Sequence, residues 1–166
     1  MTMKHFIDSF ISKILIVCPH CKMDAVVRKE PTHAVATCTY CGYHESTTNG
    51  LLLGMPVDCY FYHDLWLLAQ VGKELLWAYN LEHLKFLENF IAHSIRTDSS
   101  DQLEMTHSNR SLESQLPLWM LSAKNHDKIL HAINILMKKH ECLAEAKQSQ
   151  SGSNENQKLV MESENT

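Results

Sequence analysis

Apolar positions along the chain change period several times, and each change predicts an element. Phe6, Ile7, Phe10, Ile11, Ile14 and Leu15 recur at helical spacing, so residues 1–13 read as an amphipathic helix. Ile14 to Val17, Ala25 to Arg28 and Ala34 to Thr37 are short apolar runs with β-branched residues and read as three strands. Lys29-Glu30-Pro31-Thr32 supplies the turn between the last two, and Ser46-Thr47-Thr48-Asn49-Gly50 marks a boundary near residue 50. Residues 57–79 read as β-structure again. Two apolar runs, Asp64 to Val71 and Glu74 to Tyr79, flank Gly72-Lys73, which is a hairpin signal.

The pattern then turns helical. Asn80 suits an N-cap, and Leu81, Leu84, Leu87, Ile91 and Ile95 fall on one face over 80–96. Residues 97–111 are polar and read as a loop. Pro117 opens a short helix through Leu121, and Asn125 is the expected cap of a last helix whose buried face is Ile129, Leu130, Ile133, Leu136 and Met137. From Gln148 onward the chain is Ser, Asn, Gln and Glu with little to bury, so 148–166 reads as a disordered tail. The expected organisation is an N-terminal helix (1–13), a cysteine module (14–50), a β-hairpin plus helical region (51–147) and the tail. The fold class is α+β: an N-terminal ribbon with β-hairpins packed against a small C-terminal helical part.

Composition narrows the function. Hydrophobic residues are 45% of the chain, which fits a folded domain. The net charge of -4 lacks the basic excess usual for a protein that lives on nucleic acid. The longest apolar runs, such as Leu51-Leu52-Leu53, fall far short of a membrane span, so no membrane partner is expected. The N-terminal run is interrupted by Asp8 and Lys13 and lacks a small-residue cleavage site, which argues against a signal peptide. The six cysteines are then expected in a reducing, cytoplasmic setting, as metal ligands or buried apolar groups.

Four of them carry the chemistry. Cys18-Pro19-His20-Cys21 is followed, after sixteen residues, by Cys38-Thr39-Tyr40-Cys41-Gly42. Each Cys-x-x-Cys turn places two thiolates on one tight knuckle, and two knuckles complete a tetrahedron of sulfur. Zn2+ suits it, being borderline-soft, redox-inert and free of d-electron geometry; iron with the same thiolates is the second reading. Cys18, Cys21, Cys38 and Cys41 leave no position for water, so one structural zinc ion is expected, coupled to folding. Gly42 can take positive φ where the second knuckle closes, and Lys22 stands at the matching place in the first. Cys59 and Cys142 read as small buried apolar residues, and most of the eleven histidines as surface or half-buried groups. The pair of cysteine knuckles is the internal repeat.

The knuckles, with their proline and glycine, resemble the zinc ribbons of transcription factor IIB type over residues 14–48. Leu65-Trp66-Leu67, the stretch Leu76-Trp77-Ala78-Tyr79-Asn80-Leu81-Glu82-His83-Leu84, and Ser111-Leu112 through Leu116 to Met120 with Ala123-Lys124-Asn125 extend the resemblance to a group of uncharacterised bacterial TFIIB-type zinc-ribbon proteins. The group implies a zinc ribbon and no activity. Two partner classes stay open, nucleic acid the leading reading and a protein partner the alternative. Arg28 and Lys29 could reach phosphate while Tyr40 and Tyr43 stack on unpaired bases, a nucleic-acid-associated or regulatory role. Alternatively, the dense aromatic set around Tyr60, Trp66, Trp77 and Trp119 suits a protein-interaction adaptor. No glycine-rich phosphate loop, Gly-x-Ser-x-Gly or His-Glu-x-x-His is present, so no enzyme is expected.

Overall fold

The structure, a computed structural model, describes residues 9–96 and 116–158, the stretches 94–96 and 146–158 as backbone alone. The fold is α+β. Four strands, β1 (Lys13–Val17), β2 (Asp24–Lys29), β3 (Ala34–Thr37) and β4 (His44–Thr47), form an antiparallel meander in chain order. Alternation explains most of the inner strands: Ala25 and Val27 on β2, and Ala34 and Ala36 on β3, are buried while Val26, Arg28, Val35 and Thr37 are more exposed; Asp24 at the start of β2 is buried as well. β1 is buried on both faces at Ile14, Leu15 and Ile16 because its other edge is also occupied. The Leu15 amide donates to the Tyr79 carbonyl (2.8 Å), the Trp66 amide to the Leu15 carbonyl (3.0 Å) and the Val17 amide to the Asp64 carbonyl (2.8 Å).

β4 lies where a polar boundary was expected, so the ribbon has four strands and not three. Its residues, His44-Glu45-Ser46-Thr47, bury no side chain fully. Backbone pairing to β3, from Ala34↔Thr47 to Thr37↔His44, holds the strand. At the N-terminus residues 9–11 are helical, Lys13 already belongs to β1, and residues 1–8 lie outside the described residues.

The second hairpin is the expected one. β5 (Leu67–Val71) and β6 (Glu74–Ala78) pair from Leu67↔Ala78 to Val71↔Glu74. Gly72 takes φ 63° in a two-residue turn of the kind that favours glycine. Helix α1 (Leu81–Arg96) follows at once. Asn80 caps it, its Oδ1 accepting the His83 amide at 2.9 Å, and its Nδ2 donates to the carbonyls of Phe10 and Lys13, both at 2.9 Å. One side chain therefore starts the helix and ties it to the entrance of β1. Leu84, Leu87 and Ile91 form the buried face of α1.

Helix α2 (Leu118–Leu121) is a single turn behind Pro117, and α3 runs Ala123–Lys158. Asn125 is not the cap of α3. The helix starts two residues before it, and the Asn125 amide side chain donates to the Trp119 carbonyl at 2.7 Å, joining α3 to α2. His126, Ile129, Ala132, Ile133 and Leu136 are buried. His126 is the buried exception among the described histidines, and Cys142 departs from the expected burial, being exposed. The expected loop at 97–111 lies outside the described residues. So does 159–166, whereas α3 continues through 148–158, where composition predicts a tail. The chain divides into two compact units, Met1–Ile133 and Asn134–Thr166; the second contains the remainder of α3. No helix among the described residues is long and apolar enough to cross a membrane.

Candidate metal centre

Pairing in the meander brings the cysteines together. The β1–β2 turn carries Cys18 and Cys21, the β3–β4 turn carries Cys38 and Cys41, and both turns lie at the same end of the sheet. The four Sγ atoms lie within 4.8 Å of one another. Cys18 and Cys41 are 3.6 Å apart, and Cys21 and Cys38 3.5 Å. Zn–S bonds of about 2.3 Å at tetrahedral angles place sulfurs about 3.8 Å apart. The four thiols are thus placed to hold one metal ion, and their spacing fits a structural zinc-type site.

The two turns share one backbone design. The Cys18 amide donates to the Met23 carbonyl (2.7 Å) and the Lys22 amide back to the Cys18 carbonyl (3.1 Å); the Cys38 amide donates to Tyr43 (2.9 Å) and the Gly42 amide to Cys38 (3.0 Å). Lys22 and Gly42, at matching places, take φ 64° and 74°. A side chain at positive φ is strained, so the first knuckle stores strain that the second avoids. Lys22→Gly is expected to stabilise the metal-loaded protein by about 0.5–1 kcal/mol, the strain relieved less the added freedom of the unfolded chain. Gly42→Ala should destabilise it by about 1 kcal/mol, because nothing stands within 4 Å of the added Cβ and only the backbone term changes. Equilibrium denaturation checks both, and a Lys22→Gly variant no more stable than the parent would deny the strain.

The electrostatics ask for a cation. Burial opposes ionisation of Cys18, yet the backbone amides of Cys21 and His20 and the neighbouring thiols bring it down to about 7. For Cys21 the Met23 amide favours the thiolate, but burial and the other three thiols outweigh it and push the group up to about 12. Cys41 is likewise raised: burial and two of its sulfur neighbours outweigh the help of the Tyr43 amide. Without metal the first thiolate forms and holds its neighbours protonated. A divalent cation at the centre removes that conflict, so this donor set fits the group.

A third turn repeats the design without cysteine ligands. The closing residue pairs are Val17↔Asp24, Thr37↔His44 and Val57↔Asp64, each twenty positions after the last. The Asp58 amide donates to the His63 carbonyl (2.8 Å), and Tyr62 takes φ 64°, as Lys22 does. Asp58 stands where Cys18 and Cys38 stand. Its Oδ1 accepts the Tyr60 and Phe61 amides at 2.9 and 2.8 Å, the places from which His20 and Cys21 serve Cys18, and Oδ2 accepts the His63 amide at 2.6 Å. The internal repeat therefore has three members and not two. The third leans on the second: the Tyr43 hydroxyl hydrogen-bonds both Glu45 and His63, the latter at 3.1 Å. Cys59, inside this turn, is buried as expected, and burial pushes its thiol up to about 12.

The candidate nucleic-acid residues do not converge. Tyr40 and Tyr43 sit at the knuckle end, with Tyr40 36% exposed and Tyr43 buried beside His20 at 4.8 Å between ring centroids. Arg28 and Lys29 close β2 at the opposite end of the sheet, where Arg28 pairs with Lys13. Strand length puts about 13–17 Å between the two ends. Comparison of the chain with protein-family models, curated proteins and solved structures gave no match.

Proposed function

We propose that the protein is a binding module folded around one structural zinc ion, that it is not an enzyme, and that its partner is another protein. Zinc is supported by the all-thiolate donor set and its spacing, which leave no position open for a substrate or a catalytic water. The observation that favours a protein partner lies in the loop between the meander and the second hairpin. Leu51, Leu52, Leu53 and Met55 are 49, 46, 41 and 48% exposed, and Tyr62 beside them is 47% exposed. The loop is held closed, the Leu52 amide donating to the Cys59 carbonyl (3.1 Å) and the Tyr62 hydroxyl to the Gly50 carbonyl (3.4 Å). Large apolar side chains fixed in one exposed loop mark an interaction site more often than a bare surface does.

Nucleic acid is the second reading. It is favoured by Lys13, Arg28 and Lys29 at one end of the sheet, and weakened by the formal charge of about -2 that a zinc tetrathiolate adds at the other. A salt titration separates the readings. Metal-loaded protein is mixed with labelled single-stranded DNA, duplex DNA and RNA, and anisotropy is followed from low to physiological salt. The expected result is no saturable binding at micromolar protein even at low salt. Tight binding with a negative log-log slope would overturn the protein-partner reading, and the slope would count the phosphate contacts.

A further inference from the structure

A cavity of about 480 Å³ opens between the β5–β6 turn and the junction of α2 with α3, within the range of about 300–1,000 Å³ that holds small molecules. Its walls are fixed. Ser122 is extended (φ -80°, ψ 119°) and bends the chain from α2 into α3. The Asn125 side chain then locks the two helices together through the Trp119 carbonyl. Gly72 and Lys73, the tight turn of the hairpin, form the other side.

Charge distinguishes this cavity. Lys73 from the turn and Lys124 and Lys128 from α3 line it, against one carboxylate, Glu74. All three lysines are exposed, and none has an ion-pair partner among the described residues. Lys124 and Lys128 stand one helical turn apart, where like charges repel and weaken the helix. Asp127, between them in sequence, is not a lining residue. Each ammonium group rides on a flexible four-carbon stem, so all three can turn toward one anion. Beside the cations the wall is apolar: Trp119 is half-buried, and Leu118 is 83% exposed.

We propose that this cavity binds a small phosphate monoester, its phosphate among Lys73, Lys124 and Lys128 and its organic part on Trp119 and Leu118. A phosphate monoester carries close to two negative charges and three strong acceptor oxygens, which answer three cations and remove their mutual repulsion. The apolar wall selects the ester over the free ion, because it has something to cover only when the phosphate carries an organic group. This site shares no residue with the metal ligands or with the exposed Leu51–Met55 loop proposed above as the partner surface.

The test titrates phenyl phosphate, inorganic phosphate and phenol into the metal-loaded full chain at constant ionic strength, followed by NMR. Phenyl phosphate is expected to shift the Trp119 indole signal saturably and to bind more tightly than either fragment. Lys124→Gln combined with Lys128→Gln should weaken it at least about tenfold, the worth of one charge-assisted hydrogen bond. The melting temperature should not fall, because both side chains are exposed. Glu74→Gln should tighten binding, since it removes the one carboxylate of the wall. Inorganic phosphate binding as tightly as phenyl phosphate would assign the cavity to the free ion and overturn the ester. Absence of saturable shifts, phenol binding as tightly as phenyl phosphate, a double variant with parental affinity, or a Glu74→Gln variant that binds more weakly would each overturn the site.

Discussion

Replacing Cys38 with Ser is expected to release the metal and melt the knuckle end of the meander, at a cost of at least about 4 kcal/mol. The size follows from what the metal closes. Cys18 and Cys38 are buried within the main core cluster, beside Ile14, Ile16, Ala25 and Ala36. The strands are short, four to six residues each, and so small a sheet needs a staple to close. Three thiolates and a hydroxyl cannot offer the metal what four thiolates do. The loss should be graded along the sheet. The amides of Cys18, Lys22, Cys38 and Gly42, which close the knuckles, should lose hydrogen-exchange protection first. Those of Leu15 and Trp66, which join the meander to the second hairpin, should follow. Metal analysis with hydrogen exchange checks both halves, using Cys142→Ser as control because that thiol is exposed on α3. A Cys38→Ser variant that keeps a full metal equivalent would refute the ligand set. One that loses the metal yet keeps its knuckle amides protected would refute the coupling to folding.

What the sequence disclosed and what it hid divide along a physical line. The Cys-x-x-Cys pairs were legible because tetrahedral thiolate chemistry needs those residues at that spacing, and the second hairpin was legible from Gly72 between two apolar runs. Asn80 was legible as a cap; its Nδ2 bonds to Phe10 and Lys13 were not, because they join positions about seventy residues apart. β4 left no pattern: its backbone supplies all its pairing and its side chains face outward, so no apolar alternation records it. Asn125 was misread because Ser122 and Asn125 have the same capping chemistry, and only the structure shows α3 opening at the earlier one. Cys142 was misread because a lone cysteine carries no period of its own. Its place on α3 is off the line of Ile129, Ile133 and Leu136 that is buried. Of the candidate site, the clustering of Cys18, Cys21, Cys38 and Cys41 was legible from type and spacing. The separation of Arg28 and Lys29 from Tyr40 was not, because it depends on which end of a strand each residue occupies.

The third knuckle is hidden in the sequence by a change of residue type, a carboxylate standing where the first two have a thiol. A search for thiolates passes over Asp58, although its carboxylate receives amides from the same places that serve the thiolate of Cys18. Asp58 is fully buried and satisfies three backbone amides, those of Tyr60, Phe61 and His63. Removing it leaves three donors without an acceptor in a turn that already holds Tyr62 at φ 64°. Each such buried donor costs about 1–3 kcal/mol, so Asp58→Ala is expected to destabilise the metal-loaded protein by about 3–5 kcal/mol. Asp58→Asn should cost less, about 2 kcal/mol, because Oδ1 survives to accept two amides and only the His63 amide meets an NH2 group in place of an oxygen. The decisive feature is that metal content should not change in either variant, because no ligand lies in the turn. Denaturation of the two variants alongside metal analysis tests this, and hydrogen exchange should localise the damage to residues 57–64. If Asp58→Ala retained parental stability, the carboxylate would not organise the turn. If it lost the metal as readily as Cys38→Ser, the third turn would have to be counted as part of the metal centre, acting through the Tyr43–His63 hydrogen bond, and the repeat would be one cooperative unit of three knuckles.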